Sequence, residues 1–312
     1  MLSVAIVLDM LIPDPLTPLH PIALVGRWIE FLQKHIRRIL GNTYSGGVVL
    51  LLMTLAGAGG ITSALLWGFS KLPWGHFIFS TTLYYFLLCG ATLRKSGFRV
   101  MESLERDSLS ESRQRLGEIV GRDTSALSEE EIIKGTIETL AENTVDGLTA
   151  PLFYILAASP FGFGLQAGVL YKCINTLDSM VGYKDERYRK IGCASAKIDD
   201  LANYIPARIG AILMLISGAV SGLDISRGWR VLLRDARKHV SPNSGFPEAA
   251  AAGLLGITLG GDAHYFGKKV QKATLGDETR PVDKDDILRM NKIILVVEAI
   301  FLLISFFAGG QA

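Results

Sequence analysis

Between Arg38 and Lys71 the chain reads ILGNTYSGGVVLLLMTLAGAGGITSALLWGFS, residues 39–70, with no Asp, Glu, Lys or Arg in 32 positions. A second uncharged run follows Lys71: LPWGHFIFSTTLYYFLLCGATL, residues 72–93, 22 long. A helix needs about 20 apolar residues to cross a hydrocarbon core of roughly 30 Å. The two runs therefore predict membrane spans at about 46–70 and 75–93. A third uncharged run, residues 147–171, carries Ser159-Pro160-Phe161-Gly162-Phe163-Gly164 at its centre. Proline removes a helix donor and glycine loosens the backbone, so this run is expected to break into two half-helices and re-enter on the same side. Weaker apolar segments at 202–222 and 293–308 predict two further crossings. The first carries Asn203 and Arg208, the second Glu298. Residues 249–261 are too short to span.

The rest of the chain fits this membrane base. Its 312 residues are 49% hydrophobic and 20% charged, and the mean hydropathy is +0.32. That is too apolar for a disordered chain, and the net charge of +2 is too small for one. Cys89, Cys173 and Cys193 are odd in number and far apart, which excludes a disulfide scaffold and a structural zinc or iron–sulfur site. The near-neutral balance gives no case for nucleic acid. No cleavable signal peptide is expected, because Met1–Val7 has no basic residue and Pro13-Asp14-Pro15 is no cleavage site. Lys and Arg number eight in 94–146, six in 172–200, five in 224–248 and seven in 262–292, while the turn between the first two spans holds only Lys71. The positive-inside rule puts that turn outside and the other segments in the cytoplasm. With basic flanks on both sides, 202–222 does not fit that rule as a single crossing. The expectation is an all-α, polytopic membrane protein of the cytoplasmic membrane. It forms one domain over 1–312, with helical cytoplasmic loops. In the loop 94–146, Ser128-Glu129-Glu130-Glu131 predicts a capping-box helix start.

Four polar clusters stand at the membrane edge. Glu138, Glu142 and Asp146 recur every four residues and so share a helix face. Three acids there call for magnesium or for an Arg or Lys partner, and Asn143 stands among them. Lys172, Asn175 and Asp178 recur every three residues at the end of the broken run. Polar groups at that depth are functional candidates by default. The turn carrying Lys184 and Arg187 follows. Asp199 and Asp200 form a weak metal signature beside Asn203, and Arg208 enters an apolar segment where it needs a carboxylate, phosphate or carbonyl partner. Finally, Arg237, Lys238 and His239 run into a Ser-Pro-Asn-Ser-Gly turn with Asn243, an arrangement suited to an anionic substrate. Ordinary helix-end and surface charge is the competing explanation for each cluster. There is no GxxxxGK[ST], so ATP, if used, is not held by a P-loop.

These blocks resemble the adenosylcobinamide-phosphate synthase family of cobalamin biosynthesis, the CbiB/CobD membrane proteins. The resemblance covers essentially the whole chain. It begins at Asp14-Pro15-Leu16-Thr17-Pro18-Leu19-His20-Pro21-Ile22 and continues through 138–154, 171–188 and 196–208. It then includes Ala236-Arg237-Lys238-His239-Val240-Ser241-Pro242-Asn243-Ser244-Gly245, Leu259-Gly260-Gly261 and Thr274-Leu275-Gly276. Pro13 and Ala273 depart from the family pattern outside the clusters. The resemblance implies amide formation between a carboxylate of adenosylcobyric acid, a corrinoid, and the amine of an aminopropanol phosphate. ATP is the expected co-substrate and Mg2+ the expected ion, with no tightly bound cofactor. Glu142, Asp146, Lys172 and Asp178 are the catalytic candidates. Glu142, Asp146, Asp178, Asp199 and Asp200 are the metal candidates. Asn143, Asn175, Lys184, Arg187, Asn203, Arg208, Arg237, Lys238, His239 and Asn243 are the substrate-binding candidates. Membrane lipid and neighbouring enzymes of the same pathway are the expected partners. Asp262-x-His264-x-x-Gly267 matches a short corrinoid-binding pattern but lacks the α/β context that pattern needs, so His264 is taken as a turn residue. Two alternatives fit the pattern less well. A CDP-alcohol phosphotransferase requires an Arg where Pro151 stands in Asn143-x-x-Asp146-Gly147-x-x-Ala150-Pro151. A transporter would share the broken helix, but the long cytoplasmic polar blocks argue against it.

Overall fold

The computed structural model describes residues 1–15, 17–183, 185–265 and 268–309; of 263–265, 268–272, 308 and 309 it describes the backbone alone. The chain begins with α1 (Leu2–Leu11) and α2 (Pro21–Leu40). The first uncharged run forms α3 (Tyr44–Phe69), and the second forms α4 (Gly75–Leu87) and the start of α5 (Gly90–Glu105). α6 (Leu109–Gly117) and α7 (Glu129–Thr144) follow. A π turn, Val145–Thr149, leads into α8 (Ala150–Ala158), and a 3-10 turn, Ser159–Phe161, separates it from α9 (Gly164–Val181). Then come α10 (Cys193–Ala202), α11 (Tyr204–Val220), α12 (Ile225–Asp235) and α13 (Gly245–Leu255). The antiparallel hairpin of β1 (Leu259–Tyr265) and β2 (Lys268–Leu275) precedes α14 (Asp285–Gly309).

The fold is helical and membrane-spanning. Among the described residues, Tyr44–Phe69, Gly75–Glu105 and Asp285–Phe307 are long and apolar enough to cross a bilayer. The bent pair α10 and α11 adds a fourth crossing if it acts as one span. Two boundaries differ from expectation. The second helical stretch runs past residue 93 to Glu105, because Arg94 is buried and ion-paired rather than solvated. The 202–222 segment forms α11, 17 residues long, and qualifies only together with α10. The 147–171 run breaks where Pro160 and Gly162 stand. His264 lies in β1 rather than in a turn.

The chain gathers into two compact units. One comprises Met1–Cys89, Ala150–Asn203 and Phe301–Ala312; the other comprises Gly90–Thr149 and Tyr204–Ile300. They interleave along the chain, so no linker marks them in the sequence. In the first unit, α2 starts where the His20 ring accepts the Ile22 N–H at 3.2 Å and Pro21 presets the first helical φ. Its apolar stripe, Ile29, Leu32 and Ile36, packs on Leu50 and Leu51 of α3 and on Leu177 and Val181 of α9. α8 and α9 fold back on each other, joining Leu87, Ile155, Leu165, Val169 and Cys173 in a second core.

The second unit is built on α7 and α13. The predicted capping box is formed: Glu131 N–H donates to Ser128 Oγ at 3.3 Å, and Ser128 N–H donates to Glu131 Oε2 at 2.7 Å. Such a cap contributes about 1 kcal/mol. α13 is buried along its length and packs on α11, α12 and α7. On α14, Asn291 and Glu298 are seven residues apart and face α5. Asn291 Nδ2 donates to the Arg94 carbonyl at 3.1 Å, and Glu298 pairs with the Arg94 guanidinium. Arg208, the partner that residue type alone suggests for Glu298, is engaged elsewhere. A β-carbon at Gly90 would stand 2.8 Å from the Glu298 carboxylate, so only glycine lets α5 approach there.

Candidate functional site

The structure sorts the predicted site residues into one group per unit. In the first unit, the three-residue spacing on α9 brings Lys172, Asn175 and Asp178 to a half-buried face, and α10 supplies Asp199 and Asp200, with Asn203 capping its C-terminus. Tyr171 Oη donates to Asn203 Oδ1 at 2.9 Å, and Asn203 Nδ2 donates to Asp199 Oδ2 at 3.0 Å. Asn175 also hydrogen-bonds Asp199, and the Asp178 and Asp200 carboxylates lie close enough to act on it electrostatically. Asp199 is buried and Asp200 is exposed. The Tyr154 ring stacks on Tyr171 at 5.3 Å, and its hydroxyl donates to the Ala202 carbonyl at 2.9 Å. The two tyrosines thus hold the α10 end against α9. Arg187 lies on an exposed turn, where its guanidinium stands over the Tyr188 ring at 5.1 Å and its carbonyl accepts from Arg37 at 2.7 Å. Lys184 lies outside the described residues.

Two residues of the Asp-Pro-x-x-Pro-x-His-Pro block belong beside this group, and the cluster pattern missed them. Burial, and then the Lys172 ammonium, hold the His20 imidazole below its ordinary value, so His20 is the neutral ring expected next to a cation. Its Nε2 is 4.0 Å from Asp14 Oδ2, and its ring meets Phe86 edge-on at 4.8 Å. The signal was present in the sequence: two acid- or imidazole-bearing residues fixed by prolines immediately before a helix.

In the second unit the acid triplet does not act as one face. Glu138 is buried, paired with Arg122 at 3.0 Å and accepting from Gly260 N–H at 2.8 Å. Arg122 is therefore the cation the triplet needed. Glu142 is exposed and accepts from Ser244 Oγ at 2.7 Å. Asp146 sits half-buried in the π turn, which takes it off the 3.6-residue register. Arg122, Glu138, Glu142, Asn143 and Glu248 line a polar cavity of about 130 Å³. At about 30 Å³ per water, that volume holds roughly four waters or a small polar group.

The Ser241–Ser244 turn connects this cavity to the basic segment. Ser241 Oγ accepts the N–H groups of Asn243 and Ser244, each at 3.2 Å, and lies 3.1 Å from Ser244 Oγ. His239 Nδ1 accepts the Ser241 N–H at 3.0 Å, and its Nε2 is 3.9 Å from Glu248 Oε1. Arg208 lies between two rings, 3.5 Å from the Tyr204 centroid and 4.0 Å from Phe246. Its edge donates to the Tyr204 carbonyl at 2.5 Å and to Asn243 Oδ1 at 3.5 Å. Stacking on both faces fixes a guanidinium without neutralising it. Arg237 is exposed. Lys238 is tied to the buried Asp235 at 2.6 Å and so has a structural role.

The five metal candidates divide between the units, Glu142 and Asp146 in one and Asp178, Asp199 and Asp200 in the other. Among the described residues no three His, Cys, Asp or Glu side chains converge to hold a metal ion unaided. Magnesium takes one or two carboxylates together with waters and substrate phosphates. The neighbouring Asp178 and Asp199 fit that donor set, with amides of Asn175 and Asn203 around them.

Comparison with known proteins places the whole chain in one family. The family described as CobD/Cbib protein matches residues 2–294. A protein of Geobacter metallireducens named "Cobalamin biosynthesis protein CobD" is 45% identical over 284 residues, covering 89% of this chain and 86% of its own. One of the same name from Klebsiella pneumoniae is 40% identical over 321 residues, covering 99% and 98%. "Cobalamin biosynthesis protein CbiB" of Salmonella typhi is 40% identical over 310 residues, covering 96% and 93%. No solved structure matches the chain. With the family pattern matched over nearly its whole length and full-length relatives at this identity, the chain belongs to the CobD/CbiB family.

Proposed function

We propose that this protein works in cobalamin biosynthesis as an adenosylcobinamide-phosphate synthase, joining a carboxylate of adenosylcobyric acid to the amine of an aminopropanol phosphate. The observation that carries this beyond the family name is the Ser241–Ser244 turn. Through it, Glu142 at the cavity edge is hydrogen-bonded to the segment that carries Arg237 and His239. An amino-alcohol phosphate is an ammonium joined to a phosphate by a short chain. It needs an anionic end and a cationic end in one place. Glu142 and Glu248 meet the ammonium; Arg237, His239 and the stacked Arg208 meet the phosphate, with Asn143 and Asn243 completing the polar lining.

The chemistry assigns roles to the remaining residues. A carboxylate does not lose oxide to an amine, so it is first activated. Its oxygen attacks the γ-phosphorus of ATP, ADP leaves, and an acyl phosphate results. The amine then attacks the acyl carbon, phosphate leaves, and the amide remains. The amine reacts only when unprotonated, and Glu142, with Asp146 on the following turn, takes the proton. On α9 and α10, Lys172 would meet the nucleotide phosphates, and Asp178 and Asp199 would hold the accompanying magnesium. When bound, that ion neutralises charge on the phosphates. Because the basic loops favour the cytoplasm, the enzyme lies in the cytoplasmic membrane with its site on the cytoplasmic side. In the test, purified protein is incubated with adenosylcobyric acid, aminopropanol phosphate, ATP and magnesium, and mass spectrometry looks for the amide. An amide that requires both ATP and the protein supports the assignment. Intact substrates with no ATP consumed overturn it.

A further inference from the structure

We infer that α12 is an interfacial helix that docks on the anionic surface of the bilayer, with Arg230 selecting anionic headgroups. At 100° per residue, Ile225, Trp229 and Leu233 form one stripe, and Arg230 and Arg234 follow beside it. The stripe is open: these side chains are 42%, 46% and 69% exposed. The face beside it is packed, with Val231, Leu232 and Asp235 buried and Gly228 pressed against Leu215 and Leu254. The exposed stripe therefore carries the apolar side of the helix beyond the part that this unit covers. Such a pattern, an apolar stripe with a tryptophan flanked by arginines, is that of a helix lying in the headgroup region.

Position in the chain points to the same occupant. α11 ends at Val220 and α12 begins at Ile225, so four residues separate it from an apolar helix whose own outer face, Ile205, Ile212, Ile216 and Val220, is exposed. The two stripes are continuous in kind, and both belong to the second unit. The arginines differ in their commitments. Arg227 donates to the carbonyls of Gly253 and Leu254, and Arg234 pairs with Asp235 and Asp277. Arg230 instead lines a surface groove with Ile225, Ser226 and Trp229, and exposed Asp224 is the acid that senses it. A groove with an indole on one side and a guanidinium on the other fits a phospholipid headgroup above its acyl chains, the aliphatic stem of Arg230 lying along the apolar part. The cytoplasmic leaflet supplies the anionic lipids.

The test uses the full-length protein in which Trp28→Phe, Trp67→Phe and Trp74→Phe leave Trp229 as the only tryptophan. It is reconstituted in phosphatidylcholine vesicles containing phosphatidylglycerol, with one lipid or the other brominated near the carbonyl end of its chains. Should the triple variant misfold, the difference between wild type and Trp229→Phe reports the same indole. The expected result is a blue-shifted emission quenched roughly fivefold more effectively by brominated phosphatidylglycerol than by brominated phosphatidylcholine, the ratio that one basic residue gives at an anionic surface. Arg230→Gln should bring that ratio to about one while quenching persists. A solvent-like emission with no quenching, or an indole covered by a second copy of the chain and shielded from both lipids, overturns the proposal. So does equal quenching by the two lipids in the wild type.

Discussion

Replacing Glu298 by glutamine should destabilise the second unit strongly, and replacing both Glu298 and Arg94 should restore most of the loss. The Glu298 side chain is fully buried and that of Arg94 is 11% exposed. Removing one charge of such a pair leaves the other in a low-dielectric site, at a cost of about 3–5 kcal/mol. Substituting both by apolar residues of similar volume, Glu298→Leu with Arg94→Met, removes the uncompensated charge and should cost little, about 0–2 kcal/mol. The cycle therefore predicts a coupling of more than about 2 kcal/mol between positions 204 apart in sequence. Gly90→Ala offers a steric control: its new methyl reaches the same carboxylate, and overpacking of this kind costs about 1–3 kcal/mol. Stability is read in detergent by heating and then measuring the fraction that still elutes as a monodisperse species, supported by denaturant titration. Additive single effects, or a Glu298→Gln protein within about 0.5 kcal/mol of wild type, would show that the pair does not hold α14 against α5.

Asp146→Asn should lower amide formation by about 10²–10⁴-fold with an unchanged elution profile, as expected for loss of a group in proton transfer; wild-type turnover at unchanged magnesium dependence would refute this. Arg237→Lys keeps the charge but loses the two-pronged fork, so the KM for aminopropanol phosphate should rise while that for ATP stays constant. Asn175→Ala, which removes a hydrogen bond to Asp199, should do the reverse; equal changes for both substrates in both variants would sink the assignment of the two groups. The Arg234 guanidinium, then Lys238 and the Gly276 N–H, hold the Asp235 carboxyl well below the usual carboxylate range. A depressed folded-state value contributes stability that is complete above the unfolded value of about 4 and lost as pH falls below it. The stability gap between wild type and Asp235→Asn should therefore be constant from neutral pH to about 5 and close on further acidification; a gap that persists at low pH would contradict the pairing.

The features legible in the sequence were those governed by composition and local chemistry. Uncharged runs located α3 and α4, because the cost of burying a charge in hydrocarbon acts on every residue of a span. Pro160 and the glycines around it marked the break between α8 and α9, and Ser128 with Glu131 marked the start of α7. Pairings that need tertiary packing were not legible. Arg122 came from a charged stretch that reads as a solvated connector, yet it is the partner of Glu138. Arg94 closed a predicted span on paper and in the fold sits within a longer helix facing Glu298. Charge alone does not say which side of a helix a residue takes. The hairpin of β1 and β2 escaped notice because Gly260-Gly261 stand inside β1 and the lysines and Gln271 of β2 break any apolar alternation. His20 and Asp14 were visible as a proline-framed block, but the proximity of His20 to Lys172 depends on where α2 docks.

Among the predicted site residues, the structure separates charges already paired inside the fold from charges held at its surface. Lys238 looked equivalent to Arg237 in sequence, but its ammonium is bound to a buried aspartate that also accepts from Arg234 and Gly276. Glu138 looked equivalent to Glu142, but it is locked between Arg122 and a backbone N–H. A charged group already saturated inside the fold has little left to offer a substrate, since exchanging partners would cost the desolvation that the first partner offsets. Glu142 is held only at the edge, by a serine hydroxyl, and Arg237 is exposed. They are the members of each pair free to respond when a ligand arrives. The stacked Arg208 stands between these cases, its faces fixed by aromatic rings and its charge unneutralised. That combination limits the entropy lost on binding a phosphate without limiting the attraction. The residues to mutate for mechanism are therefore Glu142, Asp146, Arg208 and Arg237, whereas Glu138, Asp235 and Lys238 would report on folding.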